Sequence, residues 1–289
     1  MIKSNTIVVL LLALITAFVA ACGSSSSSST ASSTYKVEYL PGTGMNAPIQ
    51  GKTSFQIRIT KQSDGSAATG LNPSLTMMMH MTNGDSHSTP VDVVSESTTT
   101  AGTYNCTVYY LMASGPTMGT WEMNVTVNGE TTTFNPDVAM AMGSDTVNQK
   151  LYGADDIVTG MSGTSYNKYY IFRDGPVSAA TPTLKLHISH GENMMMDFKA
   201  VSMGSVLSSP TGTVTSMTVQ ASSDGGTTWF PAIDNANGHW SVSGFTNIVS
   251  SQTNTIFVKM SVNSQDKTTD GKTAAGPNEY ATFAVTPGM

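Results

Sequence analysis

The segment Gly119–Phe134, GTWEMNVTVNGETTTF, decides the fold. Trp121, Met123, Val125 and Val127 fall on every second position, the period of a strand with one face buried. Asn128-Gly129 follows, and then a second short alternating run, ETTTF. Asn and Gly tolerate the positive φ that a two-residue hairpin turn requires, and that turn's twist matches the strands it joins. The segment therefore reads as a β-hairpin with a buried face.

The same pattern extends outward from it. YKVEYL, TSFQIRITK, PSLTMMMHM, TPVDVVSE and GTYNCTVYYLM are each of strand length, and Ser63-Asp64-Gly65, Asn83-Gly84-Asp85 and Ala101-Gly102 supply turn chemistry between them. Seven strands within residues 35–135, with no helical periodicity, predict an immunoglobulin-like sandwich. Beyond residue 156, TPTLKLHIS, MMMDFKAVS, TVTSMTVQASS, TWFPAI, HWSVSGF, NTIFVKMSV and EYATFAVTP read as a second set of strands. The fold class is all-β: two immunoglobulin-like β-sandwich domains, residues 35–135 and 157–289, joined by a linker over 136–156. Ser222, Asp224, Gly226, Thr228 and Trp229 match the Asp-box pattern S-x-D-x-G-x-T-W. A single copy with one nearby arginine, Arg173, reads as a hairpin device and not as a sialidase.

Composition bounds the function. Charged residues are only 11% of the chain, against about 25% in an average soluble protein. The first 21 residues read as a signal peptide, with Lys3 ahead of an apolar run too short to span a bilayer. Val19-Ala20-Ala21-Cys22 resembles the bacterial lipobox. That resemblance implies cleavage before Cys22 and its lipidation, and Gly23 after it favours the outer membrane. Residues 22–34, almost all serine, cannot bury enough apolar surface to order and read as a tether with a reach of about 20 Å. Loss of Lys3 takes the formal charge from −6 to −7, so nucleic acid is not an expected partner. The expected partners are the membrane, through the lipid, and a copper-handling or surface protein. With Cys22 lipidated, Cys106 has no intramolecular disulfide partner; its strand alternation makes it a small buried hydrophobe. No nucleophile motif, phosphate loop, H-E-x-x-H or C-x-x-C is present, so the chain is not expected to be an enzyme. Asp155-Asp156 reads as a turn or a weak Ca²⁺ contact.

A family resemblance rests on Gly51 and Phe55, Gly70-Leu71, Met77 to His80, Gly102-Thr103-Tyr104, Met112 and Gly119-Thr120-Trp121. In this order they resemble the YtkA-like/FixH-like domain of exported bacterial proteins, over about residues 36–135. The resemblance implies a small β-sandwich related in architecture to periplasmic copper-binding modules, with no defined activity. The chain departs from that pattern by inserting Ala113 to Thr117 between Met112 and Met118-Gly119.

Nineteen methionines set the chemical question. In the strand from Leu75, alternation puts Met77, Met79 and Met81 with Leu75 on the core face, and Met78 and His80 on the outer one. His87, just past the Asn83-Gly84 turn, is placed to fold back, and Met112 and Met118 flank the inserted loop. Thioether with imidazole selects a soft ion, above all Cu(I). The second domain echoes this with HISHGENMMM: Leu184, Leu186 and Ile188 mark the core face, His187 points outward with Lys185, and His190 and Met194 follow. The candidate ligands are thus Met78, His80, His87, Met112, Met118, His187, His190 and Met194, with copper as the ion, buffered or transferred. The competing reading is a non-catalytic structural or adhesive surface module whose methionines are packing.

Overall fold

The chain is described from a computed structural model covering residues 33–42, 47–160, 163–208, 212–272, 276 and 278–287. The expected signal peptide, Cys22 and nearly all of the serine tether lie outside the described residues. The first sandwich comprises β1 (Tyr35–Leu40), β2 (Gly51–Lys61), β3 (Ser74–Met81), β4 (Ser86–His87), β5 (Val91–Glu96), β6 (Thr103–Tyr110), β7 (Gly119–Val127) and β8 (Glu130–Phe134). The hairpin forms as its sequence dictates: Val127 pairs with Glu130, and Asn128 and Gly129 take φ of 49° and 87°. Two four-stranded sheets result, β1-β2-β6-β5 and β4-β3-β7-β8. This is the immunoglobulin arrangement, in which the first two strands share a sheet with the D and E strands while C, F and G form the other. The strict alternation of β2 and β7 faces Phe55, Ile57 and Ile59 across the core from Met77, Met79, Trp121 and Met123. Cys106 is buried and free, and burial pushes its thiol up to about 12, so it packs as an inert hydrophobe.

The second sandwich contains β9 (Asn148–Leu151), β10 (Ile157–Gly160), β11 (Gly163–Tyr166), β12 (Tyr169–Arg173), β13 (Thr183–Glu192), β14 (Asp197–Ala200), β15 (Met217–Ser222), β16 (Phe230–Pro231), β17 (Ile233–Asp234), β18 (His239–Ser243), β19 (Asn254–Val262), β20 (Gln265–Lys267) and β21 (Ala281–Val285). Its sheets run β12-β13-β18-β17 and β16-β15-β19, with β21 also on β19, which repeats the order of the first sandwich; β20 pairs with β19 as well, and β10 and β11 form a separate two-stranded sheet. Strand β9 adds an edge beside β12, and β14 pairs with the far half of β13. Strand β9 falls within the expected linker 136–156, so that stretch is partly built into the second sandwich. The Asp-box residues form the β15–β16 hairpin: Ser222 Oγ accepts from Gly226 N at 3.0 Å, and Asp224 accepts from Thr227 N and Thr228 N. These donors hold the Asp224 carboxyl down at about 2. Trp229 packs edge-on against Tyr280 under the Lys259 ammonium.

One expectation for the second half changes. The methionine triplet does not start a strand. Asn193, Met194 and Met195 all take positive φ, forming a tight turn that ends β13, and the strand begins at Asp197. The two sandwiches also pack directly against each other within one unit, Thr34–Met289. Tyr109 on the outer face of β6 forms an apolar cluster with Tyr170 and Phe172 of β12. The contact joins the outer face of the β1-β2-β6-β5 sheet to that of the β9-β12-β13-β18-β17 sheet.

Candidate metal centres

His87 and Met112 form the first centre. Strand β4 folds back on β3, placing His87 opposite Met79. His87 Nδ1 lies 2.7 Å from the Ser88 carbonyl oxygen, and Nε2 lies 3.2 Å from Met112 Sδ. Burial, with the Lys150 charge adding to it, lowers the His87 pKa, so at neutral pH the ring carries one proton. A carbonyl at 2.7 Å can only accept, which puts that proton on Nδ1. Nε2 therefore turns a bare lone pair toward a thioether sulfur, which is itself electron-rich. Trp121 positions both partners: its ring meets His87 edge-on at 5.5 Å, and its indole N–H donates to the Met112 carbonyl at 3.0 Å. His87 is nearly buried, and Met112 is half-buried.

The other expected ligands of this domain stand apart from that pair. Met77 and Met79 are core, and Met78 is half-buried on the opposite face. His80 does face outward, but Glu122 Oε2 sits 3.4 Å from its Nε2, so a carboxylate and not a sulfur is its neighbour. Met118 packs on the margin of the core with Met81.

In the second sandwich the expected face of His187 holds, and its exposure does not. It lies opposite the Leu184, Leu186 and Ile188 face, yet is 1% exposed, because the first sandwich covers it: the Tyr109 ring stacks on it at 4.2 Å. Its Nε2 meets Ser189 Oγ at 2.7 Å, and its Nδ1 is buried without a hydrogen-bond partner. Burial first, then the charge of His239, pulls its pKa down to about 3. Beside it, ligand atoms of Asp92, His187 and His239 all lie within 4.8 Å of one another. His239 is held between two carboxylates, Nδ1 at 3.0 Å from Asp174 Oδ2 and Nε2 at 3.1 Å from Asp92 Oδ1. Asp174 also accepts from Tyr109 Oη at 2.6 Å and pairs with Lys52 at 2.7 Å. Asp92, Asp174, Tyr109, Lys52 and His239 are not among the residues picked from sequence. The one available signal was that His239 is the fifth histidine and opens a strand.

His190 and Met194 do not join this group. His190 is fully buried with its ring 4.8 Å from that of Tyr169, and Nδ1 lies 3.4 Å from Glu192 Oε1. Met194 sits on the turn at 80% exposure, while its neighbour Met195 offers sulfur to the Tyr170 hydroxyl at 3.1 Å. The Asp155-Asp156 pair is not an open Ca²⁺ contact: buried Lys267 reaches Asp155 at 2.7 Å and Asp156 at 3.0 Å.

No protein-family profile matches this chain, and no curated protein matches it. Among solved structures, a chimeric titin Z1Z2-Z1Z2 tandem carrying a fibronectin-derived GRGDS peptide aligns with 86% of this chain and 95% of its own, at 12% identity and a TM-score of 0.20. A chimeric titin Z1Z2 carrying a decorin-derived KLER peptide aligns with 89% of this chain and 99% of its own, at 9% identity and the same TM-score of 0.20. Among the described residues no helix is long and apolar enough to cross a membrane.

Proposed function

We propose that this chain is a lipid-anchored protein of the bacterial envelope that binds Cu(I) as cargo at His87 and Met112, buffering it or passing it to a copper-handling partner. The observation that carries this reading is the 3.2 Å approach of His87 Nε2 to Met112 Sδ, with the imidazole proton fixed on the other nitrogen. With metal–nitrogen bonds of about 2 Å and metal–sulfur bonds of about 2.3 Å, donors so spaced sit as neighbouring ligands of one ion. A bare imidazole nitrogen beside a neutral thioether is a soft donor set, and neither atom has to lose a proton to bind. The Nδ1–H bond to the Ser88 carbonyl is the outer contact that orients a ligating histidine. Half-exposure of Met112 leaves a side from which a donor on a partner can approach, which suits transfer. The same reading takes residues 36–135 as a YtkA-like/FixH-like module and Cys22 as its lipid anchor.

Anaerobic Cu(I) titration against a chromophoric chelator tests the site. Met112→Leu, a near-isosteric change, is expected to weaken binding at least about tenfold, or 1.4 kcal/mol. Wild-type affinity no tighter than micromolar, or unchanged affinity in Met112→Leu, rejects the reading. Anchoring is tested separately. Cys22→Ala is expected to move the protein from the membrane fraction to the soluble one, and retention at the membrane rejects the lipobox.

A further inference from the structure

The seam between the two sandwiches contains a donor set that the copper reading does not use. Asp92 comes from β5 of the first sandwich, while His187 and His239 come from adjacent strands β13 and β18 of the second, where they pair in register. Ligand atoms within 4.8 Å of one another need to close by only about an ångström to meet one ion with bonds near 2 Å. The donors are two imidazoles and a carboxylate without sulfur, a set that suits borderline divalent ions and disfavours Cu(I).

Two features mark the group as a site and not an incidental ion pair. His187 is buried with an unpartnered ring nitrogen, a costly arrangement that an ion could relieve. His239 has each nitrogen facing a carboxylate oxygen, so it needs either two protons or one proton and one cation. If Nδ1–H donates to Asp174, the outer carboxylate orients the ring and Nε2 is left for a cation shared with Asp92, the carboxylate–histidine–metal arrangement. Lys185 lines the same cleft as Asp174 and His239. Lys52 and the Tyr109 hydroxyl both bind Asp174 Oδ1, so Lys52 offsets one carboxylate and Asp92 carries the uncompensated negative charge.

We propose that Asp92, His187 and His239 bind one divalent cation of the zinc class, and that this ion clamps the two sandwiches together. The site is separate from the His87–Met112 pair and stands or falls independently of it. Because its ligands come from both sandwiches, occupancy reports on their packing.

The test uses the full chain. Calorimetric titration with Zn²⁺ compares wild type, Asp92→Asn and Met112→Leu, with circular dichroism checking that each is folded. One equivalent of Zn²⁺ is expected to bind wild type and Met112→Leu alike, and Asp92→Asn to weaken binding at least about thirtyfold. Co²⁺ titration of the unaltered protein adds a readout that needs no variant. Visible bands of nitrogen and oxygen ligation, without sulfur-to-cobalt charge transfer, are expected. Zn²⁺ should also raise the midpoint of thermal unfolding in wild type. Absence of binding, equal affinity in wild type and folded Asp92→Asn, or a sulfur charge-transfer band overturns the proposal.

Discussion

His87 and Met112, 25 residues apart in sequence, bring an imidazole nitrogen and a thioether sulfur within 3.2 Å. His80, on the neighbouring strand, instead faces Glu122 from an exposed position. The two histidines should therefore differ in a copper assay. Replacing His87 with Phe removes a donor and should abolish high-affinity Cu(I) binding. Replacing His80 with Phe should leave affinity within about threefold, well under the tenfold that corresponds to 1.4 kcal/mol. Competitive titration of the two single variants checks this, and the reverse ranking would move the site to the outer face of β3.

What could be read ahead of the structure follows from which interactions are local. The Asn128-Gly129 turn, the core placement of Met77 and Met79 and the outward face of His80 all derive from period-two alternation and turn chemistry, which act over a few residues. His87 folding back on β3 was legible for the same reason, since the Asn83-Gly84 turn enforces it. Its meeting with Met112 was not, because the loop after β6 and the Trp121 clamp bring them together through the tertiary fold. The face of His187 was readable from Leu184, Leu186 and Ile188, whereas its burial was not. A sheet face that packs on another domain shows the same alternation as one that faces water. Met194 to Met196 looked like a strand because methionine carries no turn signal, yet Asn193 to Met195 lie at positive φ.

Acid should weaken the fold through His187. Burial lowers its pKa from the ordinary value of 6.5 to about 3. Below pH 6.5 the unfolded chain therefore binds a proton that the folded chain refuses. The stability this group contributes is fully present above pH 6.5 and is lost as pH falls toward 3, with a slope up to about 1.4 kcal/mol per pH unit. His187→Phe keeps an aromatic ring against Tyr109 and removes the titration. Urea unfolding between pH 7 and 4 should give a shallower loss of stability in that variant than in wild type. An unchanged slope would assign the acid sensitivity to other groups.

Lys267 should be among the most sensitive positions of the second sandwich. It is almost wholly buried, pairs with Asp155 and Asp156, and lies 5.4 Å from the Tyr169 ring. Lys267→Met removes the charge and leaves Asp156, itself fully buried, without its cation. Breaking one side of such a pair costs roughly 3–5 kcal/mol. Adding Asp156→Asn should recover part of the loss, because the second change removes the stranded charge. Equal stability of Lys267→Met and wild type in chemical denaturation would show that Asp156 is satisfied by other groups.

The last prediction concerns the seam. Tyr109 packs against Phe172 at 5.2 Å between ring centroids, stacks on His187 and donates its hydroxyl to Asp174. Its side chain sits on the outer face of its own sheet, so the first sandwich's internal core, built on Tyr104, Cys106, Val108 and Tyr110, does not depend on it. Truncating a buried aromatic costs roughly 3–5 kcal/mol; here that cost should fall on the contact between sandwiches and spare their interiors. Tyr109→Ala should therefore split a single unfolding transition into two, each sandwich retaining its own cooperativity. Proteolysis of the variant should then fall in the stretch between β8 and β9, which wild type protects. Tyr109→Phe keeps the stacking and loses only the hydroxyl bond, so its transition should stay single. Calorimetry on the three proteins checks the order, and a single transition in Tyr109→Ala would place the coupling of the sandwiches elsewhere, in the Lys52–Asp174 or the Asp92–His239 pair.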